Sequence, residues 1–206
     1  MAVFLTATKQ FRCPQCGDQL SIYFSYTKLI QCRSCRSTIF LEDDAVRLAG
    51  KQSVLSQEPS LITLHQPFSY KGTAYLPIGK IRYSYGRGFW EEWWLKSEEG
   101  NAYWLSVDEG DMVLEQEVTE HSMTMAFDDL GIGMRLDRWI VTEMGSATCE
   151  GFEGTLPKTI AIGNQYDYAH LSGKGALLRT LEFTPQGVEV YEGRWIDPFE
   201  IKKVVS

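Results

Sequence analysis

Four of the five cysteines form two pairs whose spacing is typical of a metal site. Cys13 and Cys16 form the first pair and Cys32 and Cys35 the second, with fifteen residues between the pairs. Zn²⁺ in structural sites prefers four thiolates in a tetrahedron, and this spacing matches the two knuckles of such a site. Because four protein ligands close the coordination shell, the predicted zinc is structural and leaves no open position for a substrate.

The residues around these cysteines predict a zinc ribbon over residues 1–41. Gly17 follows the first knuckle and can adopt the positive φ that such a turn commonly needs. β-favouring residues alternate over residues 19–26, and residues 37–41 are predicted to be the returning strand. Two disulfides would need an oxidising compartment, and a redox-active pair would need a βαβ context, so zinc is favoured over both. Cys149, in an apparent strand, is expected to be a buried and inert thiol.

The rest of the chain has the pattern of a β domain over residues 59–206. A polar segment, residues 42–58, is interpreted as a linker with one helical turn at residues 44–48. Short runs rich in Ile, Val, Tyr, Trp and Thr then alternate with Gly and Pro turn signals, which indicates an all-β fold. The predicted strands are residues 60–65, 73–83, 90–97, 102–107, 111–118, 133–142, 147–152, 167–172, 176–184 and 188–195. Residues 122–130 fit either a short helix or an extended connector.

Similar features in residues 59–120 and 130–200 predict an internal duplication. Each half opens with a comparable run and ends in an acidic-Gly turn followed by a strand, at an offset of roughly 65 to 85 residues. The predicted fold class is therefore mainly β with little helix. A small zinc ribbon is followed by two related antiparallel β units that are barrel- or sandwich-like.

Composition and charge restrict the class of protein. The chain has 206 residues, of which 44% are hydrophobic and 13% aromatic, as is ordinary for a soluble globular protein. A net charge of -7 disfavours broad binding to nucleic acid or anionic lipid. No apolar run is long enough for a membrane helix and the N-terminus lacks a signal-peptide pattern, so a cytoplasmic protein without membrane insertion is expected. Twelve acids and one Lys over residues 89–129 predict either a solvated face or a surface for a basic partner.

No pattern in the sequence predicts a catalytic set, and we expect a protein without enzyme activity. The three histidines are far apart in the sequence, and no Gly-x-Ser-x-Gly elbow is present. The Gly-rich residues 172–175 lack the first Gly of a phosphate-binding loop. Adjacent acids such as Glu91 and Glu92 point to opposite faces of a strand and cannot easily share a proton.

The aromatic run of residues 89–94 places large side chains on both faces of a predicted strand. One face should join the core, and the other should either pack within the chain or form an exposed binding patch. Tryptophan is enriched at the hot spots of protein interfaces. The candidate anchors for a protein partner are Trp90, Trp93, Trp94 and Trp104.

Several of these segments together resemble the domain-of-unknown-function family 4178, whose members often carry an N-terminal zinc ribbon. The resemblance covers about residues 60–200 and the ribbon. It rests on Ile78-Gly79-Lys80-Ile81-Arg82-Tyr83, Trp90-Glu91-Glu92-Trp93-Trp94-Leu95, Gly100-x-x-Tyr103-Trp104-Leu105, Leu181-Glu182-Phe183 and Glu189-Val190-Tyr191-Glu192-Gly193-Arg194-Trp195-Ile196. The family has no established activity, so the resemblance transfers no catalytic residue. It implies a bacterial accessory protein, because members are encoded near membrane-stress proteins and polyamine-synthesis enzymes.

Three hypotheses of function follow from the sequence. The leading one is a non-enzymatic module that binds an unidentified protein partner, linked to membrane-stress or polyamine-related systems. The second is a binder of, or an enzyme for, a small cationic ligand such as a polyamine, held by acidic and aromatic side chains. The third, a nucleic-acid-binding ribbon protein, is disfavoured by the acidic charge.

Overall fold

A computed structural model describes residues 7–42, 45–48, 55–56, 59–119 and 124–204 of the chain. Within these ranges the chain forms sixteen β-strands and two 3₁₀ turns, but no α-helix. This confirms the predicted fold class. The described residues contain no helix with the length and apolar character that crossing a membrane requires.

Five short strands near the N-terminus surround the four paired cysteines. They are β1 (Lys9–Arg12), β2 (Gln19–Ile22), β3 (Leu29–Gln31), β4 (Thr38–Glu42) and β5 (Ala45–Leu48). β1 pairs with β2, whereas β3, β4 and β5 form a second antiparallel group. The helical turn expected at residues 44–48 is wrong, because residues 45–48 are strand β5 and pair with β4.

Eight longer strands close into an antiparallel β-barrel. The first four are β7 (Thr73–Ser84), β8 (Phe89–Ser97), β9 (Ala102–Asp108) and β10 (Asp111–Glu117), and the last four are β12 (Trp139–Leu156), β13 (Gln165–Ser172), β14 (Leu177–Thr184) and β15 (Gly187–Ile196). Each set of four is a meander in which consecutive strands pair. β10 pairs with β15 and β12 pairs with β7, which closes the ring. Closure leaves no free strand edge within the ring.

The two predicted β units are the two meanders, and they share this one barrel. A short strand precedes each meander: β6 (Phe68–Tyr70) pairs with β7, and β11 (Arg135–Leu136) pairs with β12. The last strand, β16 (Lys202–Lys203), pairs with β6. Both halves therefore have the same element order, a short strand followed by a four-stranded meander. The duplication itself stays a prediction.

Two stretches differ from the strands that the sequence predicted. The runs at residues 133–142 and 147–152 merge into β12, which has 18 residues and two register shifts. Such bulges bend a strand, and here they let one strand follow the curvature of the barrel. Residues 60–65 form no strand, so that prediction is wrong: Ile62 instead packs over the outside of the barrel. In the connector, residues 127–129 form a 3₁₀ turn, and residues 120–123 lie outside the described residues.

Alternation along each strand divides its side chains between the interior and an outer face. In β8, Trp90 and Glu92 line the interior, while Trp93 faces outward and is buried beneath Ile62 and Phe68. A second cover, which includes Leu130, packs over the outward side chains of the other meander. The two faces of the aromatic run are therefore both packed within the chain.

The ribbon packs against one end of the barrel through strand β12. Thr155 and Leu156, the last residues of β12, pair with Ile30 and Leu29 of β3. The ring of Phe24 lies 4.8 Å from the ring of Trp94, between centroids, and both belong to the interior core. The ribbon thus extends the hydrophobic core of the barrel instead of standing apart from it.

Candidate metal centre and barrel cavity

The four paired cysteines converge on one point. The sulfur atoms of Cys13, Cys16, Cys32 and Cys35 all lie within 4.8 Å of one another. Cys13 Sγ is 3.7 Å from Cys35 Sγ, and Cys16 Sγ is 3.6 Å from Cys32 Sγ. These separations exceed a disulfide bond, and none of the five cysteines forms a disulfide. The cluster is compatible with a metal site of four thiolates.

Two matching turns hold the four sulfur atoms together. The N–H of Gly17 donates to the carbonyl oxygen of Cys13 at 2.9 Å, and the N–H of Arg36 donates to that of Cys32 at 2.8 Å. Each turn ends on a residue with positive φ, 79° at Gly17 and 59° at Arg36. The positive φ expected at Gly17 is confirmed, and the second knuckle achieves the same turn with a non-glycine residue.

The pKa values of two of the clustered cysteines are shifted in opposite directions. Burial raises the pKa of the Cys32 thiol to about 12, so a metal ion that binds here has to displace its proton. Hydrogen bonds with the side chain and the backbone of Ser37 lower the pKa of Cys35 to about 6. Cys149 lies away from the cluster: burial raises its pKa to about 12, as expected for an inert thiol.

The barrel encloses a cavity of about 230 Å³. Its walls combine aromatic and acidic side chains from several strands. The aromatic side chains are Tyr83, Trp90, Tyr166, Tyr168 and Trp195, and the acidic ones include Glu92, Asp108, Asp111, Glu115, Glu143 and Glu182. These residues are far apart in sequence, and the closure of the barrel brings them together.

Two glutamates lie deep within this cavity. Glu92 accepts a hydrogen bond from Trp90 Nε1 at 3.1 Å, and Glu115, which is 4% exposed, accepts one from the Thr180 hydroxyl at 2.7 Å. Burial, together with the charge of Glu182, raises the pKa of Glu92 to about 8. Burial raises the pKa of Glu115 to about 7. Within the described ranges, neither carboxylate has a Lys or Arg nitrogen within 4.0 Å.

Lys158 lies near Glu92 and is held by other acids. Its Nζ is 2.5 Å from Glu182 Oε2 and 3.2 Å from Glu189 Oε2, and it donates to the hydroxyl of Tyr191 at 3.3 Å. Burial alone would lower the pKa of Lys158, but the charges of Glu182 and its neighbours raise it well above the ordinary value. Lys158 is therefore a charged ammonium group inside the barrel.

A hydrogen-bonded group at the cavity wall includes Glu143, His170 and Tyr168. Glu143 Oε2 lies 3.0 Å from His170 Nδ1, and the Tyr168 hydroxyl donates to Glu143 Oε1 at 3.0 Å. The bond with His170 lowers the pKa of Glu143. Glu143 therefore stays ionised and adds fixed negative charge to the cavity.

The structure does not place the predicted tryptophan anchors on the surface. Trp93, Trp94 and Trp104 are 3%, 1% and 8% exposed, and Trp90 lines the cavity. They therefore form no exposed patch of the kind that the partner hypothesis needs. The reason is that both faces of β8 are covered, one by the barrel interior and the other by the segment that contains Ile62.

Sequence reasoning suggested acidic and aromatic side chains for a cationic ligand but did not identify which acids line the cavity. One signal was available, since Glu92 alternates with Trp90 and Trp94 and so shares their face of the strand. Glu91, on the opposite face, binds Arg82 with a nitrogen-to-oxygen distance of 2.7 Å, which confirms that adjacent acids here point apart. The partners of Glu92 on the other strands could not be read from the sequence.

The fold and the two sites define the class of protein: a closed antiparallel β-barrel with an acidic and aromatic cavity, joined to a four-cysteine ribbon. The family model of a domain of unknown function (DUF4178) matches residues 64–198. The chain belongs to this family, and the matched range includes the eight strands of the barrel. No curated protein and no solved structure matches the chain.

Proposed function

We propose that the barrel binds a small organic cation in its cavity and that the four cysteines hold a structural zinc ion. One observation carries the first part: Glu92 and Glu115 are deep carboxylates in an aromatic cavity, and no lysine or arginine nitrogen of the described chain lies within 4.0 Å of either. The zinc assignment is supported by the four-thiolate donor set, which suits Zn²⁺.

The two glutamates favour a cationic ligand because a buried carboxylate is costly unless it is paired. In the ligand-free cavity this cost is relieved by protonation, as the raised pKa values of both side chains indicate. Each ammonium group entering the cavity would replace one of these protons and leave one ion pair, so a diamine could pair with both carboxylates. Binding would therefore release protons from the protein.

The aromatic walls add a second interaction that also attracts a cation. The ring centroids of Tyr83 and Trp90 are 5.3 Å apart, those of Trp90 and Tyr168 are 5.0 Å apart, and those of Tyr83 and Tyr166 are 5.7 Å apart. Ring faces attract ammonium groups within about 6 Å of their centroids, and the attraction grows when water is excluded. Four adjoining rings beside a carboxylate thus form a surface that suits an organic ammonium ion.

The size of the cavity and the placement of its acids restrict the ligand. A volume of about 230 Å³ lies below the range of about 300–1,000 Å³ that is typical of drug-sized ligands, so a small metabolite is favoured. Asp111 and Glu115 lie on one face of β10, at a separation of about 13 Å for four residues of extended strand. A linear polyamine with ammonium groups near both ends can reach acids at both positions.

The hypothesis of a protein-interaction module loses support from the burial of the tryptophans, and no specific contact favours it. The accessory role that the family resemblance implies is compatible with an amine-binding barrel. A link to polyamine-related systems belongs to this proposal, and a link to membrane stress has no support in the geometry of the site.

Calorimetric titration with ethylamine, 1,4-diaminobutane and spermidine tests the proposed cavity. Glu115→Gln should weaken amine binding about tenfold or more, because it removes a charged hydrogen-bond acceptor worth about 1.5–3 kcal/mol. Glu117→Gln, an exposed residue of the same strand, is the matched control and should leave the affinity unchanged. If no amine binds the protein at millimolar concentration, or if the two variants behave alike, the proposed function is wrong.

A further inference from the structure

The side chains around Lys158 form a cage with the composition of an ammonium-binding site. In addition to the ion pairs with Glu182 and Glu189, the Lys158 ammonium lies 5.6 Å from the centroid of the Trp104 ring and 5.5 Å from that of the Tyr191 ring. Two carboxylates and two ring faces are the groups that recognise a ligand ammonium in aromatic cages. The occupant here is supplied by the chain itself, from the connection between β12 and β13.

This cage adjoins the empty cavity. Glu182 lines the cavity and also holds the Lys158 ammonium, so the same carboxylate borders both places. Glu92, on the cavity side, is close enough for its ionisation to depend on Glu182. The cavity and the cage therefore form a continuous row of carboxyl groups, of which one end already holds a cation.

We propose that Lys158 is a tethered cation that fills an amine site at the Glu182 end of the cavity and so limits the ligands that the cavity accepts. A ligand ammonium would stop at Glu92 and Glu115, because the next position is taken. Lys158 would be a specificity-determining residue that excludes longer amines. This part rests on the proposed function, whereas the existence of an amine site at Glu182 and Glu189 does not.

Removal of the lysine side chain should convert the cage into an open amine site. Lys158→Ala leaves Glu182 and Glu189 without their cation, which is a destabilising change for partly buried acids. The side chains of Lys158 and Glu182 are 23% and 18% exposed, so a small free amine can reach the position. Ethylamine should restore the lost stability, because it supplies an ammonium on a short alkyl stem, while ethanol lacks the charge.

Thermal unfolding of the full-length protein tests this site. The midpoint of Lys158→Ala should be lower than that of the wild type, and ethylamine should raise the midpoint of the variant more than that of the wild type. Ethanol at the same concentration should not do so. Lys71→Ala removes an exposed lysine that pairs with Glu200 and serves as the control, with no rescue. Equal effects of ethylamine on Lys158→Ala and the wild type would overturn the inference.

A double variant covers the case in which Lys158→Ala does not fold. Lys158→Ala with Glu182→Gln removes one charge of each sign, so it should fold without amine and show no ethylamine-specific rescue. If the single variant is insoluble, its refolding yield in ethylamine against ethanol replaces the unfolding midpoint. A yield that is the same in both would count against the inference, as would rescue of the double variant to the same extent.

Ligand length separates this inference from the proposed function. Lys158→Ala should bind 1,4-diaminobutane about tenfold more tightly relative to ethylamine than the wild type does, since a second ammonium can then reach Glu182. Rescue of Lys158→Ala without amine binding to the wild type would support the cage and refute the proposed function. Amine binding to the wild type with no change in length preference in the variant would support the proposed function and refute the role of Lys158.

Discussion

The cysteine ribbon and the barrel cavity are assembled in opposite ways. The ribbon draws its four ligands from two short turns, each of which holds two cysteines three positions apart. The cavity draws Glu92, Glu115 and Glu182 from three strands that meet only when the barrel is closed. A local spacing is visible in any single sequence, whereas a set of residues spread over many strands becomes a site only through long-range pairing.

The two regions also differ in what stabilises them. The ribbon has a small core, in which Leu20, Ile30 and Ile39 pack with two of the cysteines, and a metal ion is expected to supply most of its folding energy. The barrel has a large interior core and two outer covers. The regions are nevertheless joined, because Phe24 and Leu29 of the ribbon pack within the interior core of the barrel.

Metal removal should give the largest effect. Chelation of zinc should unfold the ribbon and also lower the free energy of unfolding of the barrel by about 4 kcal/mol, because Phe24 and Leu29 leave its core. Hydrogen exchange measures both effects, as fast exchange over residues 7–42 and reduced protection in β7 and β12. Cys149→Ala should keep one zinc per chain, unlike Cys32→Ser. A barrel of unchanged stability would show that the two regions are independent.

Phe24→Ala should separate docking from metal binding, with a smaller effect. The side chain is 7% exposed and packs on Trp94, so its loss should destabilise the barrel by about 3 kcal/mol while zinc content stays at one per chain. Denaturant unfolding followed by tryptophan fluorescence measures the change. Tyr26→Ala, which removes a ring that is 48% exposed, is the control and should cost under about 1 kcal/mol. Equal losses in the two variants would contradict this account of docking.

The pH dependence should give the smallest effect and should report on the cavity alone. Burial raises the pKa of Glu92 to about 8 and that of Glu115 to about 7, above the ordinary value of 4.5. At pH values between the ordinary pKa of 4.5 and these raised values, the folded protein holds more protons than the unfolded chain. The ligand-free protein should therefore lose stability as pH rises from about 5 to about 8. Amine affinity should change in the opposite direction and increase from pH 6 to pH 9 as the carboxylates ionise.

Chemical denaturation at each pH, with titration by 1,4-diaminobutane, measures both trends. The double variant Glu92→Gln with Glu115→Gln should flatten the stability profile over this range, while Glu117→Gln should leave it unchanged. A wild-type stability that rises with pH between 6 and 8 would show that other groups dominate and that the two glutamates are not protonated in the free protein.

The success of the sequence predictions depended on the range of the interactions involved. The two-residue spacing of Cys13 and Cys16 is a local property, and it predicted a cluster that the structure brings together. Alternation within a strand is local as well, so the two faces of β8 were predicted correctly. The strand predicted at residues 60–65 is wrong, because the apolar side chains of this segment cover the barrel and the segment does not pair with another strand.

The tryptophans show that a local sequence pattern does not predict which faces of a strand are buried. From the sequence alone, Trp93 and Trp94 could each face a partner, since a strand pattern does not say what covers either face. Their burial is decided by residues far along the chain, such as Ile62 outside the barrel and Phe24 inside it. Separation in sequence also explains why no local pattern pointed to Lys158, because its carboxylate partners are more than twenty residues away.

The amino-acid sequence by itself determined the four-cysteine cluster, the β character of the chain and the division of each strand into two faces, since these depend largely on neighbours close in the sequence. The tertiary structure alone decided that two meanders close into one barrel, through the pairing of β12 with β7 and of β10 with β15. Closure selects which alternate residues face inward together. The acidic cavity and the Lys158 cage therefore exist only in the folded chain.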